Sequence, residues 1–198
     1  MRANYVAWTA LSIIVALVSL AMKFYAYFPG DVAVEKAIQS LVPSNLSWAE
    51  GISKTVESPW IFIILALIFA LSWFLAGWRA ALLAILSFMG MLALGKWLGP
   101  VIGRPRPSPE LVRVFRPLSG YSFPSLFALR YAATLGFLAV LAAVKNSGLF
   151  RSVIVTACGV LFILIFIARI ALGAHWPSDV IVSFLIGLLW ASLLVRFA

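Results

Sequence analysis

The chain has 198 residues, 64% of them hydrophobic and 11% charged, with 15 Lys and Arg against 6 Asp and Glu for a formal charge of +9. A soluble domain of this size has too little interior for that much apolar surface, so a water-soluble enzyme or binding module is excluded and a polytopic membrane protein is expected. Basic excess in such a chain points to anionic headgroups, phosphate ligands or topology signals, with no nucleic-acid partner.

Six apolar runs follow in order, at about 7–27, 60–78, 80–97, 123–144, 150–172 and 177–197, each close to the length that crosses a bilayer. Only Arg2 precedes the first run and no clean cleavage site follows it, so it reads as a retained helix, with Lys23 snorkelling near its end. Between 31 and 58 the chain is at its most polar. Ile38, Leu41 and Val42, then Ala49, Ile52 and Val56, recur at helical spacing on either side of Pro43-Ser44-Asn45. Two short interfacial helices are expected there, with Trp48 in the aromatic belt. Gly77-Trp78-Arg79 is a tight turn that makes runs two and three antiparallel, and Lys96 closes run three. From 98 to 122 the chain is rich in Pro, Gly and Arg and does not suit lipid. The single cysteine, Cys158, lies inside run five as a small packing residue. The expected architecture is one domain over 1–198, an all-α integral membrane protein. It is a six-transmembrane-helix bundle with short interfacial helices between spans one and two.

Six spans place both termini on one side, together with the turns at Arg79 and at Lys145 to Arg151. Arg2, Arg79, Lys145, Arg151 and Arg196 gather there, while all six acids (Asp31, Glu35, Glu50, Glu57, Glu110 and Asp179) fall on the other side. The positive-inside tendency then makes the termini cytoplasmic and the opposite face extracytoplasmic.

Three segments meet on that outer face. One is Lys96 with Gly103-Arg104-Pro105-Arg106-Pro107-Ser108, the second is Ser119-Gly120-Tyr121-Ser122-Phe123-Pro124-Ser125, and the third surrounds Arg169 and His175, the only histidine. Guanidinium forks suit phosphate oxygens and lysine adds a point charge. A helix beginning near Pro124-Ser125 adds backbone N–H donors. Cations clustered in a membrane are costly unless an anion sits among them, so a phosphate site is expected. Pro177 and Asp179 suit a helix N-terminus, which puts His175 at a helix mouth with Asp179 able to hold one ring nitrogen. Arg113 and Arg130 read as surface or snorkelling charges.

These motifs resemble the type-2 phosphatidic acid phosphatase family, which shares its core with vanadium-dependent haloperoxidases. That family carries Lys followed by Arg-Pro, then Pro-Ser-Gly-His, then Ser-Arg, five residues, His, three residues and Asp. Here the third motif is Ala168-Arg169…His175…Asp179, with the same spacing from Arg onward, the second is Pro124-Ser125-Leu126-Phe127, and the first is Lys96 followed by Arg104-Pro105-Arg106-Pro107. The resemblance implies that His175 is a nucleophile forming a phosphohistidine and that Asp179 orients it. It implies that Lys96, Arg104 and Arg169, helped by Ser125, bind the phosphoryl oxygens. No metal and no other cofactor is implied.

Three departures stand out. Ala168 replaces a serine, and Lys96 lies one residue farther from Arg104 than the pattern has. The general-acid histidine position is Phe127, which has no proton to give, and Tyr121, Ser122 and Ser125 are poor acids at neutral pH. The expected function is an integral membrane phosphatase in a bacterial cell membrane. Its substrate is a lipid phosphate or prenyl diphosphate, undecaprenyl-diphosphate-like or phosphatidate- or phosphatidylglycerophosphate-like, with the bilayer as its other partner and no obligate protein partner. The alternative is a catalytically impaired relative that binds phosphorylated lipid. A transporter fits less well, because the ionisable residues sit at helix ends and not at the midplane.

Overall fold

The structure, a computed structural model, describes residues 5–198, so Arg2 lies outside the described residues. Its elements are helical throughout: α1 (Tyr5–Ala21), α2 (Asp31–Leu41), α3 (Ser47–Lys54), α4 (Trp60–Ala76), α5 (Trp78–Ile102), α6 (Leu126–Tyr131), a π turn (Ala132–Gly136), α7 (Phe137–Lys145), α8 (Gly148–Ala171), α9 (Pro177–Leu194) and a closing 3-10 turn (Val195–Phe197). In hydrocarbon every backbone N–H and C=O must be satisfied within the segment, which is why the apolar runs become helices.

Four helical stretches are long and apolar enough to cross a membrane: Trp78–Ile102, Leu126–Lys145, Gly148–Ala171 and Pro177–Phe197. Two shorter apolar helices, α1 and α4, have 17 residues each, about 25 Å of helix and the low end of what spans a bilayer. All six helices stand where the apolar runs predict them.

Three boundaries differ from expectation. The first helix stops at Ala21, not near 27, and the freed carbonyl of Tyr25 accepts a hydrogen bond from Arg104 Nε at 3.2 Å. α5 continues through Pro100 to Ile102, where Gly103 ends it in a left-handed conformation (φ 71°). Lys96 is therefore inside a helix, more than a turn from its end. Pro100 is tolerated because it falls in the last turn, where little helix remains to disrupt. The fourth span begins at Leu126, with Ser125 as its N-cap.

The interfacial helices exist, and Ile38 and Val42 pack against the core, but Leu41 does not follow them and the deepest face of α2 is polar. Leu41 is 85% exposed, while Asp31, Glu35 and Gln39, spaced four apart, are buried. α2 packs on the ends of α8 and α9, where polar groups need partners. α3 turns Ala49 and Ile52 inward against α8, as its spacing predicts.

α9 runs through the middle of the bundle against α1, α2, α5, α6, the π turn, α7 and α8. Close approach rests on small residues, since apolar side chains gain nothing by leaving lipid for protein. A Cβ at Gly187 of α9 would lie 2.4 Å from Cβ of Ala132 at the π turn. One at Gly95 of α5 would lie 2.5 Å from Cδ2 of Leu126.

Candidate active site

The site is built where α8 ends and α9 begins. The Gly173 N–H bonds the Ile170 carbonyl at 3.0 Å and the Ala174 N–H bonds the Arg169 carbonyl at 3.1 Å, the paired bonds of a Schellman ending. Gly173 has φ +64°, and a Cβ there would lie 2.4 Å from the Arg113 carbonyl oxygen, so only glycine fits. This turn swings His175 back over the mouth of α8. Pro177 then starts α9, and the carboxylate of Asp179 in its first turn accepts the Trp176 N–H at 3.0 Å.

Asp179 does more than cap the helix. It accepts the Ser122 hydroxyl and pairs with Arg104 Nη1. Arg104 in turn pairs with Asp31 at 3.0 Å, donates to Ser178 Oγ at 2.9 Å and lies 4.9 Å from the centre of the Phe28 ring. Asp31 also accepts the Ser178 backbone N–H at 2.9 Å, which places a second carboxylate at the N-terminus of α9. This buried network ties α2, the 103–125 loop and α9 together.

Two expectations are corrected here. Arg104 is 1% exposed, meets two carboxylates and does not line the cavity described below, so it is not free to bind phosphate. Asp179 makes no hydrogen bond to His175. The Nδ1 of His175 lies 2.6 Å from the backbone carbonyl oxygen of Ser122 instead. A carbonyl only accepts, so Nδ1 carries the hydrogen and the neutral ring keeps its lone pair on Nε2. Burial first, then the guanidiniums of Arg169 and Arg106, hold the His175 pKa well below its ordinary value of 6.5, against the opposing pull of the Ser122 carbonyl.

His175 lines a cavity of about 570 Å³ whose walls carry six cations (Lys54, Lys96, Arg106, Arg116, Arg130 and Arg169) and two carboxylates, Glu50 and Glu57. Arg106 donates to the carbonyls of Ala174 at 2.7 Å and Ser119 at 3.2 Å. Arg169 donates to Ser53 Oγ at 2.8 Å, and its guanidinium lies 5.1 Å from the centre of the Phe127 ring. Neither arginine meets a carboxylate among the described residues, so both keep a full charge facing the cavity. Lys96 is exposed on the same wall. Ser125 is fully buried, accepts the Ala128 N–H at 3.4 Å as the N-cap of α6, and does not line the cavity. Phe127 does line it, packed 4.9 Å from the ring of Tyr131.

The structure thus gathers Lys96, Arg169, His175 and Phe127 and sets Arg104, Asp179 and Ser125 behind them. Arg106 lines the cavity and Arg104 does not; the tandem Arg-Pro pairs at 104 and 106 carried both options, and only the loop's path separates them. Ser53 and Arg130 had no motif to mark them. Gln39 was equally silent: its side-chain amide donates to the carbonyls of Arg113 at 2.7 Å and Ile170 at 3.1 Å, pinning the loop over the end of α8.

The sequence matches the family model of the PAP2 superfamily over residues 77–198. The chain belongs to the PAP2 superfamily. The match begins at the start of α5 and takes in Lys96, Arg106, Phe127, Arg130, Arg169 and His175, while Ser53 and Lys54 of α3 precede it. This PAP2 chain also resembles a solved structure described as the first transmembrane PAP2-type phosphatidylglycerolphosphate phosphatase from Bacillus subtilis. The identity is 25% and the TM-score 0.74, covering 93% of this chain and 94% of that one. No curated protein matches it by sequence. The apolar helices and this neighbour make the chain an integral membrane protein of the PAP2 fold, and a likeness over 93% of the chain reaches well beyond the family model's range.

Proposed function

We propose that this chain is a membrane lipid phosphatase in which His175 is the nucleophile. The observation that carries the reading is the neutral His175, held as the Nδ1–H tautomer by Ser122 beside Arg106 and Arg169 on one cavity wall. A phosphoryl group seated between those cations has its equatorial oxygens neutralised while Nε2 attacks in line. The P–O bond to the lipid breaks, a phosphohistidine forms, and water then cleaves the P–N bond to release phosphate and restore the ring. Arg106, Arg169 and Lys96 bind the phosphoryl oxygens, and Asp179 positions His175 through Ser122. The reaction as drawn needs no metal.

The substrate is a lipid phosphate or prenyl diphosphate, and the Bacillus neighbour, a phosphatidylglycerolphosphate phosphatase by its description, supports the lipid class. One domain of six spans, with cytoplasmic termini and an extracytoplasmic site in a bacterial cell membrane, fits the basic residues Arg79, Lys145, Arg151 and Arg196 at the opposite end from His175. Phosphate release from the purified protein in detergent, assayed on a prenyl diphosphate, a phosphatidate and a phosphatidylglycerophosphate, tests the reading. His175→Ala should abolish release on all three, and turnover near the parent's would remove the nucleophile. A second reading is favoured by Phe127: the chain binds phosphorylated lipid with little or no turnover. Lipid binding without phosphate release from the parent protein would establish it.

A further inference from the structure

Arg130 has no role so far, and its surroundings are unlike those of the other cavity arginines. Arg106 donates to two carbonyls, Arg116 lies 3.8 Å from Glu50, and Arg169 holds Ser53. The Arg130 guanidinium makes no hydrogen bond or ion pair among the described residues, and its Nε is buried without a partner. It also stands inside a membrane-crossing stretch, Leu126–Lys145. An unpaired cation there is costly and marks a place where an anion arrives.

Its position says which anion. Arg130 follows Phe127 by three residues on α6 and lines the same cavity, so the two side chains are neighbours one turn apart. α6 is capped by Ser125, three residues after the Ser122 that holds His175, and runs from there into the bundle, so Arg130 is about 7.5 Å deeper along the helix axis than the cap. A lipid whose phosphorus meets His175 has its tail on the membrane side. The oxygen joining phosphorus to that tail therefore points toward Arg130. No second histidine exists in the chain to protonate this oxygen, and the residue three positions before Arg130 on the cavity lining is Phe127, which carries no proton to give.

Resting on the phosphatase reading above, we propose that Arg130 is the leaving-group cation, stabilising by charge the oxygen that a proton donor would otherwise neutralise. When Nε2 of His175 bonds to phosphorus, the P–O bond breaks and its electron pair goes to the leaving oxygen. From a diphosphate this gives a lipid monophosphate. From a monoester it gives an alkoxide that takes a proton from cavity water. Arg130 keeps its own proton throughout and pairs with the departing anion.

The test is a series of phosphate esters of graded leaving-group acidity together with a prenyl diphosphate, assayed on the parent, Arg130→Gln and Arg130→Lys in detergent. The expected loss in Arg130→Gln is about 100-fold for alkyl leaving groups, shrinking toward none for a nitrophenyl ester and for the diphosphate, whose departing phosphate has a second pKa of about 6, with Arg130→Lys in between. The ratio of poor to good leaving groups does not depend on how much of a variant is folded. Equal losses across the series, or none, would overturn the role of Arg130. A parent without turnover, or turnover surviving His175→Ala, would instead overturn the phosphatase reading beneath it.

Discussion

Asp179 holds His175 at one remove. Its carboxylate accepts the Ser122 hydroxyl, and the Ser122 carbonyl accepts Nδ1–H of His175 at 2.6 Å. The two ends of this relay should fail differently. Ser122→Ala keeps the carbonyl and loses only the hydroxyl, so kcat should fall about tenfold with the thermal midpoint nearly kept. Asp179→Asn leaves buried Arg104 with one carboxylate fewer, a change of about 3–5 kcal/mol for broken buried pairs, so it should unfold at markedly lower temperature. Equal midpoints for the two variants would show that Asp179 acts only through Ser122.

Arg104 and Arg106 should separate in the same way. Arg104→Ala breaks the pairs with Asp31 and Asp179 and should cost about 3–5 kcal/mol of stability. Arg106→Lys should stay folded and lose about 10²-fold in turnover, because a point charge does not reproduce a fork on phosphate oxygens. Thermal melts in detergent beside steady-state kinetics decide it, and a stable but inactive Arg104→Ala would return that residue to the phosphate.

The pH dependence follows from His175. Its pKa in the folded protein lies well below 6.5 through burial and the neighbouring Arg169 and Arg106, so the nucleophile stays neutral as the medium is acidified. The acid limb of kcat/KM should therefore fall below pH 6.5. The same shift has a stability consequence of definite sign. Below pH 6.5 the unfolded chain takes up a proton that the folded one refuses, so this group destabilises the fold progressively from pH 6.5 down to its folded pKa. An acid limb at or above 6.5 would contradict the environment described for the ring.

Glu35 predicts the opposite trend. It is fully buried on α2, neither carboxyl oxygen has a partner, and burial followed by the charges of Asp31 and Asp179 raises its pKa from 4.5 to about 9. The folded protein keeps this proton while the unfolded chain loses it above pH 4.5. The group's contribution is therefore whole below pH 4.5 and declines until about pH 9, by up to about 1.4 kcal/mol per pH unit. Glu35→Gln should leave the thermal midpoint unchanged near pH 4.5 and raise it at pH 8. A midpoint that moves equally at both would mean that Glu35 is ionised in the fold.

Phe127→His restores a proton donor on the cavity wall. The single change is preferable to pairing it with Leu126→Gly, because Leu126 fills the socket at Gly95. General acid catalysis is worth about 10²–10⁴-fold. It should help monoesters, which expel an alkoxide, far more than diphosphates, which expel a phosphate whose second pKa is about 6. Equal gains on both would make Phe127 a steric wall.

The sequence by itself determined the class of protein and the placing of its apolar helices, though not all of their ends, because backbone groups in lipid have no option but local hydrogen bonding. It also carried the Arg169…His175…Asp179 spacing, since a helix end, a turn and a helix start are local events, legible in Gly173 and Pro177. What it left open is whatever depends on one segment crossing another. Leu41 faces outward because α2 turns its polar face to the ends of α8 and α9. Arg104 is neutralised by Asp31, some seventy residues away in sequence, and Arg106 is left to the cavity. Asp179 turns to Ser122 and Arg104, which meet it across the bundle, and Arg130 makes no ion pair among the described residues even though Glu50 and Glu57 line the same cavity. A side chain's charge is written in its sequence position, but whether that charge is used up depends on its neighbours, and the neighbours are chosen by packing.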